Sequence, residues 1–175
     1  MKNVFLFTAV PNLPELLETA DHVDVKTIEG NVSLREFIAG MLSYSPGWLK
    51  FLYGVRWFFV RLLGMKQEGV PGGLSMKPED VSFVAGAPAT FFSVKMAEED
   101  KFWFAGITES HLTAHLGVIV EPSQPRQFHL VTIVHYHRWT GFVYFNVIRP
   151  FHHIVVHQMM KAAVSSPLRK ATAYL

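Results

Sequence analysis

The 175-residue chain is half hydrophobic and 14% aromatic, carries a formal net charge of +2 and has no cysteine. Such a composition suits one folded domain over residues 1–175 with a sizeable core and excludes a disordered chain. It also excludes disulfides, thiolate metal sites and a cysteine nucleophile, and the small charge leaves no nucleic-acid footprint.

The opening MKNVFLFTAVP has one lysine and a short apolar run with no A-x-A-like cleavage site, so residues 4–10 read as an edge strand closed by Pro11 and Pro14, not as a signal peptide. Residues 13–20 suit a helical turn. Residues 21–29 alternate as a strand, with Val23, Val25 and Thr27 on one face. Ser33 and Glu36 form a capping-box pair, and Leu34, Phe37, Ile38, Met41 and Leu42 follow at helical spacing. After Ser45-Pro46-Gly47, residues 48–65 read as a second helix. Lys50, Arg56 and Arg61 argue against a transmembrane span, and Lys50 and Arg61 share nearly one angle of the helical wheel. The sequence favours packing of this helix on the protein over a membrane-surface or partner-binding role.

Residues 66–77 carry Gly69, Pro71, Gly72 and Gly73 and read as a loop, without a phosphate-binding motif. Residues 81–84, 90–96 and 102–107 read as short strands. Residues 110–121 and 127–138 read as longer ones joined by a PSQP hairpin loop, giving an antiparallel meander. Thr140 is placed to cap a last helix that fades by Pro167. Tyr144, Ile148, Phe151, Val155, Met159 and Ala162 share one face of it, and Arg149, His152, His153 and His157 lie roughly opposite. Pro150 predicts a kink or two abutting helices.

The string TIVHYHRWTGFVYFNVIRPFHHIVVHQMM resembles the C-terminal end of the uncharacterised bacterial family catalogued as domain of unknown function 2867. ADHVD at residues 20–24, PGWLKFLYGVRWFFVRLLGMK at 46–66 and ITESHL at 107–112 are similar to further stretches of that family, in the same order. The family resembles the START/SRPBCC superfamily. The resemblance therefore implies an α+β helix-grip fold: a curved antiparallel sheet wrapped around a long C-terminal helix, often enclosing an apolar cavity. It implies no reaction. Where the family's pattern has an aspartate and an arginine after the HL pair, this chain has Thr113 and His115.

Nine histidines are the most prominent polar signal. His111 and His115 share one strand face, His135 and His137 another, and His153 and His157 stand at i, i+4. Without H-E-x-x-H or a G-x-S-x-G elbow, neither a metal site nor a serine nucleophile is selected, and no metal or cofactor is expected. Glu109 and His111 are the candidate acid–base pair. The expected function is a non-catalytic, cytoplasmic binding module for a small apolar or amphipathic ligand between sheet and C-terminal helix. The candidate lining residues are Phe91, Phe104, Leu112, Ala114, Leu116, Leu130, Thr132, Val134, Tyr136, Tyr144, Ile148 and Phe151.

Overall fold

The computed structural model describes residues 10–62 and 76–165. Helix α1 (Leu13–Glu18) precedes strand β1 (His22–Gly30), helix α2 (Leu34–Leu42) and helix α3 (Leu49–Leu62). A single 3-10 turn at Pro78–Asp80 leads into β2 (Pro88–Ala89), β3 (Phe92–Glu98), β4 (Phe102–Thr108), β5 (Leu112–Glu121) and β6 (Arg126–Tyr136), and helix α4 (Trp139–Ser165) closes the described chain. The strand predicted for residues 4–10 and most of the loop at 66–77 lie outside the described residues. Residues 81–84 form no strand, and the short β2 lies just before the predicted strand at 90–96.

The six strands form one curved antiparallel sheet in the order β1-β6-β5-β4-β3-β2. The meander from β2 to β6 follows chain order because each link is short. The N-terminal strand β1 completes the sheet by pairing with β6, from His22 opposite Val134 to Gly30 opposite Arg126.

Strand alternation sorts the sheet into two layers. On the helix side Trp103, Ala105, Leu116, Val118, Phe128 and Leu130 pack with Phe37, Ile38 and Met41 of α2 and with Val156, Met160 and Ala163 of α4. Phe37 stacks on Phe128 with ring centroids 4.3 Å apart and planes 1° from parallel. A smaller cluster of Leu112, Val134, Tyr144 and Phe145 fills the end of this layer where α4 begins. On the opposite side Phe102, Phe104, Ile119, Val131 and Ile133 are covered by Val10 and Leu13, with Leu16 and Leu17 of α1 packed against them. The middle of the sheet is thus buried on both faces, and β6 reads as a near-continuous apolar run there. Phe104 lies so close over β5 that a Cβ on Gly117 would stand 2.1 Å from its ring, so only glycine fits.

Local chemistry fixes the helix ends. The Ser33 amide donates to Glu36 Oε2 at 2.6 Å and the Glu36 amide donates to Ser33 Oγ at 3.2 Å, the reciprocal box expected from the sequence. The start of α4 sits against the turn after β4. The amides of His137 and Arg138 donate to the His111 carbonyl, and a Cβ on Gly141 would come within 2.2 Å of that oxygen.

The structure sharpens two expectations for the helices. First, α4 is one helix running through Pro150, not two abutting ones. Proline lies on its exposed side, where water can replace the missing amide. The buried residues of α4 are Gly141, Tyr144, Phe145, Val156, Met160 and Ala163. Relative to the predicted stripe the buried face is rotated by about one residue, so Phe151 is 40% exposed and His152 and His153 turn inward. Second, α3 packs on the protein as expected, and its described side chains divide into a buried and an exposed set. Leu49 is buried, whereas Phe51, Trp57, Phe58 and Leu62 are exposed.

Candidate functional site

Among the described residues strand β1 is one edge of the sheet, and its two faces are inverted relative to polarity. Val23 and Val25 are exposed, while His22, Asp24, Lys26 and Ile28 turn towards α4. The helix answers with His152 and His153, and the five polar residues form one cluster beneath its middle. The Lys26 ammonium donates to Asp24 Oδ2 at 2.8 Å and to His153 Nδ1 at 2.9 Å. His153 Nδ1 also lies 3.3 Å from Asp24 Oδ2. The His22 ring tilts over Phe145 at 4.9 Å and meets His153 edge-on at 6.5 Å. His152 lies between Phe145, at 6.0 Å, and His153, at 6.4 Å.

Burial dominates the electrostatics. Desolvation, reinforced by the neighbouring His153, lowers the pKa of His152 to about 4, so its ring is neutral near pH 7. His22 is lowered by burial and then by Arg149. Asp24 is held below the usual carboxylate range: burial opposes its ionisation, but the hydrogen bond and charge of Lys26, with His153 and His152, together outweigh burial. Lys26 and Arg149 bring two positive charges to the neighbourhood of the single carboxylate of Asp24. Next to the cluster, an open groove of about 570 Å³ is lined by Lys26, Thr27, His153, Ile154, His157 and Gln158. A second open groove lies between residues 31–33 and 122–126.

The residues singled out in the sequence fall in several places. Leu112, Ala114, Leu116, Leu130, Val134, Tyr136, Tyr144 and Ile148 belong to the helix-side clusters, and buried Thr132 pairs across from Asp24 on the same sheet face. Phe104 belongs to the opposite layer because β4 pairs it with Gly117, which sends its side chain towards α1. Phe91 precedes β3 and is 46% exposed, and Phe151 is turned outward by the phase of α4, so these two do not line the interior. Glu109 and His111 do meet, with Oε2 and Nε2 3.4 Å apart. His111 is buried at the β4–β5 turn and stands edge-on to Tyr144 at 5.3 Å. Neither residue lines either groove.

His115, His129, His135 and His137 lie on the α1 side of the sheet. His129 bonds Thr27 Oγ1 at 2.9 Å and approaches Glu121 at 3.3 Å. His115 and His135 meet edge-on at 5.8 Å, and burial followed by the nearby His135 lowers the pKa of His115. His137 bonds Thr113 at 2.8 Å. The expectation that the helix histidines face outward is corrected for His152 and His153, and of these three helix residues His157 alone is exposed. Among the described residues no group of three or more His, Asp or Glu side chains is arranged to hold a metal ion.

Sheet order, antiparallel register and the long covering helix define an α+β protein of helix-grip type. The chain belongs to the family described as "Protein of unknown function (DUF2867)", whose model matches residues 16–159. No curated protein matches the sequence.

Proposed function

We propose that this protein is a non-catalytic binding module for a small amphipathic molecule, held between the sheet and the C-terminal helix where α4 crosses β1. The observation that carries this reading is the cluster of His22, Asp24, Lys26, His152 and His153 beside an open groove. Burying these groups costs stability, as the lowered histidine pKa values record, and an apolar set would pack there without that cost. Ionisable groups retained at such a cost collect at functional sites. Lys26, His153 and His157 offer donors to an anionic or hydroxylated head, and Ile154 offers apolar surface to its chain. The resemblance to START/SRPBCC proteins, which often enclose a cavity between sheet and helix, agrees with this placement. A cytoplasmic location accords with the cysteine-free composition. No helix among the described residues is long and apolar enough to cross a membrane.

Native mass spectrometry of the protein purified from its own host, as wild type and as Lys26→Met, tests the reading. The wild type is expected to retain a small-molecule adduct that the variant loses. A wild type with no adduct, and with a melting temperature unmoved by saturating decanoate, refutes it.

A further inference from the structure

We infer that α3 is a docking surface for an anionic lipid bilayer, lying flat in the headgroup region. The inference is independent of the groove at β1. Along α3 and the residue before it, Trp48, Phe51, Phe58 and Leu62 recur at spacings of three, seven and four, which places them on one face of a helix. That face is the outer one: Phe51 is 72% exposed, Leu62 66%, Phe58 57% and Trp48 41%. The opposite face holds the helix to the protein through buried Leu49 and half-buried Leu52 and Tyr53.

Charge selects the occupant. The helix sequence LKFLYGVRWFFVRL contains three basic residues and no acidic one. Exposed Arg61 lies beside the apolar stripe with its guanidinium 5.5 Å from the ring of Trp57, and Lys50 falls at nearly the same angle of the helix. An apolar ridge that includes Trp48 and is flanked by Arg61 and Trp57 matches the interface of an anionic bilayer, where cations meet headgroups and indoles sit at the boundary. A protein partner or a second copy would have to bring acidic residues to this rim, and α3 offers none for a self-complementary contact. The fourteen described residues of α3 extend about 21 Å, short of the ~30 Å hydrocarbon core, and no helix among the described residues is long and apolar enough to cross a membrane, so α3 is placed along the surface.

Flotation of the full chain with vesicles tests this. Wild type is expected to bind vesicles of phosphatidylcholine containing about one-third phosphatidylglycerol, to bind pure phosphatidylcholine more weakly, and to detach as salt approaches about 0.5 M. The double variant Phe51→Asp/Leu62→Asp alters two exposed positions and is expected to lower partitioning at least about tenfold. Arg61→Glu, which keeps the apolar ridge, is expected to weaken binding to anionic vesicles and leave the weak binding to neutral ones in place. Circular dichroism matching wild type verifies each fold. The inference is overturned if wild type stays with the soluble fraction, or if the double variant binds as wild type does. It is also overturned if sedimentation without lipid reveals a dimer that the double variant dissolves.

Discussion

Replacing His152 with leucine tests the electrostatics of the buried cluster. The residue occupies the inward phase of α4, one turn before buried Val156, beside the rings of Phe145 and His153. Its pKa falls from an ordinary 6.5 to about 4 on folding. Between those values the unfolded chain binds a proton that the folded chain refuses. Stability therefore falls as pH drops below 6.5, and the loss is complete only below pH 4. The full difference of 2.5 units corresponds to about 3 kcal/mol, of which roughly 2 kcal/mol is lost between pH 7 and pH 5. His22 and His115 are lowered as well, and Asp24 is held ionised, so all four groups push in the same direction. His152→Leu removes one contribution and leaves the other three. Urea unfolding at pH 7 and pH 5 should show wild type losing about 2 kcal/mol more than the variant over that interval. At pH 7 the two should differ little, since a neutral ring is exchanged for an apolar side chain of similar bulk. Equal losses for both proteins would refute the placement of His152 as a half-buried neutral base.

Three further substitutions probe the two layers. Gly117→Ala forces the Phe104 ring out of its seat and is expected to cost ~1–3 kcal/mol in denaturant unfolding; adding Phe104→Leu should recover part of it, and additive losses would contradict a shared contact. Phe37→Ala removes a fully buried ring stacked on Phe128 and should cost ~3–5 kcal/mol, with a loss under ~1 kcal/mol showing that the helix-side layer does not depend on that stack. Ser33→Ala breaks the capping box and should cost about 1 kcal/mol, measurable as a lower urea midpoint at unchanged slope.

What the sequence disclosed follows from where its patterns had a single solution. The box at Ser33, the apolar spacing of α2 and the paired runs of β5 and β6 each have one reading, and the structure contains each. The phase of α4 had two. Tyr144, Ile148, Phe151, Val155 and Met159 form one apolar stripe; Phe145, Val156, Met160 and Ala163 form another, interrupted by His152. Local pattern favours the uninterrupted stripe, but tertiary contact selects the other. Gly141 must meet the His111 carbonyl at the start of the helix. Near the far end the Ala163 backbone lies 2.9 Å from where a Cβ on Gly40 would stand, an approach only small residues allow. With both ends set, the intervening turns bring His152 and His153 inward whatever their polarity. The same contest decides β1, where pairing with β6 sends Val23 and Val25 outward and brings Asp24 and Lys26 beneath the helix. The candidate site is thus built where long-range register overrides local hydrophobicity on two elements at once. That explains why no single segment discloses it. It also gives the edge strand inward-pointing charges, which disfavour pairing with a second chain along β1. The cluster can serve both ends, and the two are separable. Replacing Asp24 and Lys26 together by Ser and Thr should abolish ligand retention under the proposed function, whereas an edge-protecting role alone would change only the tendency to aggregate.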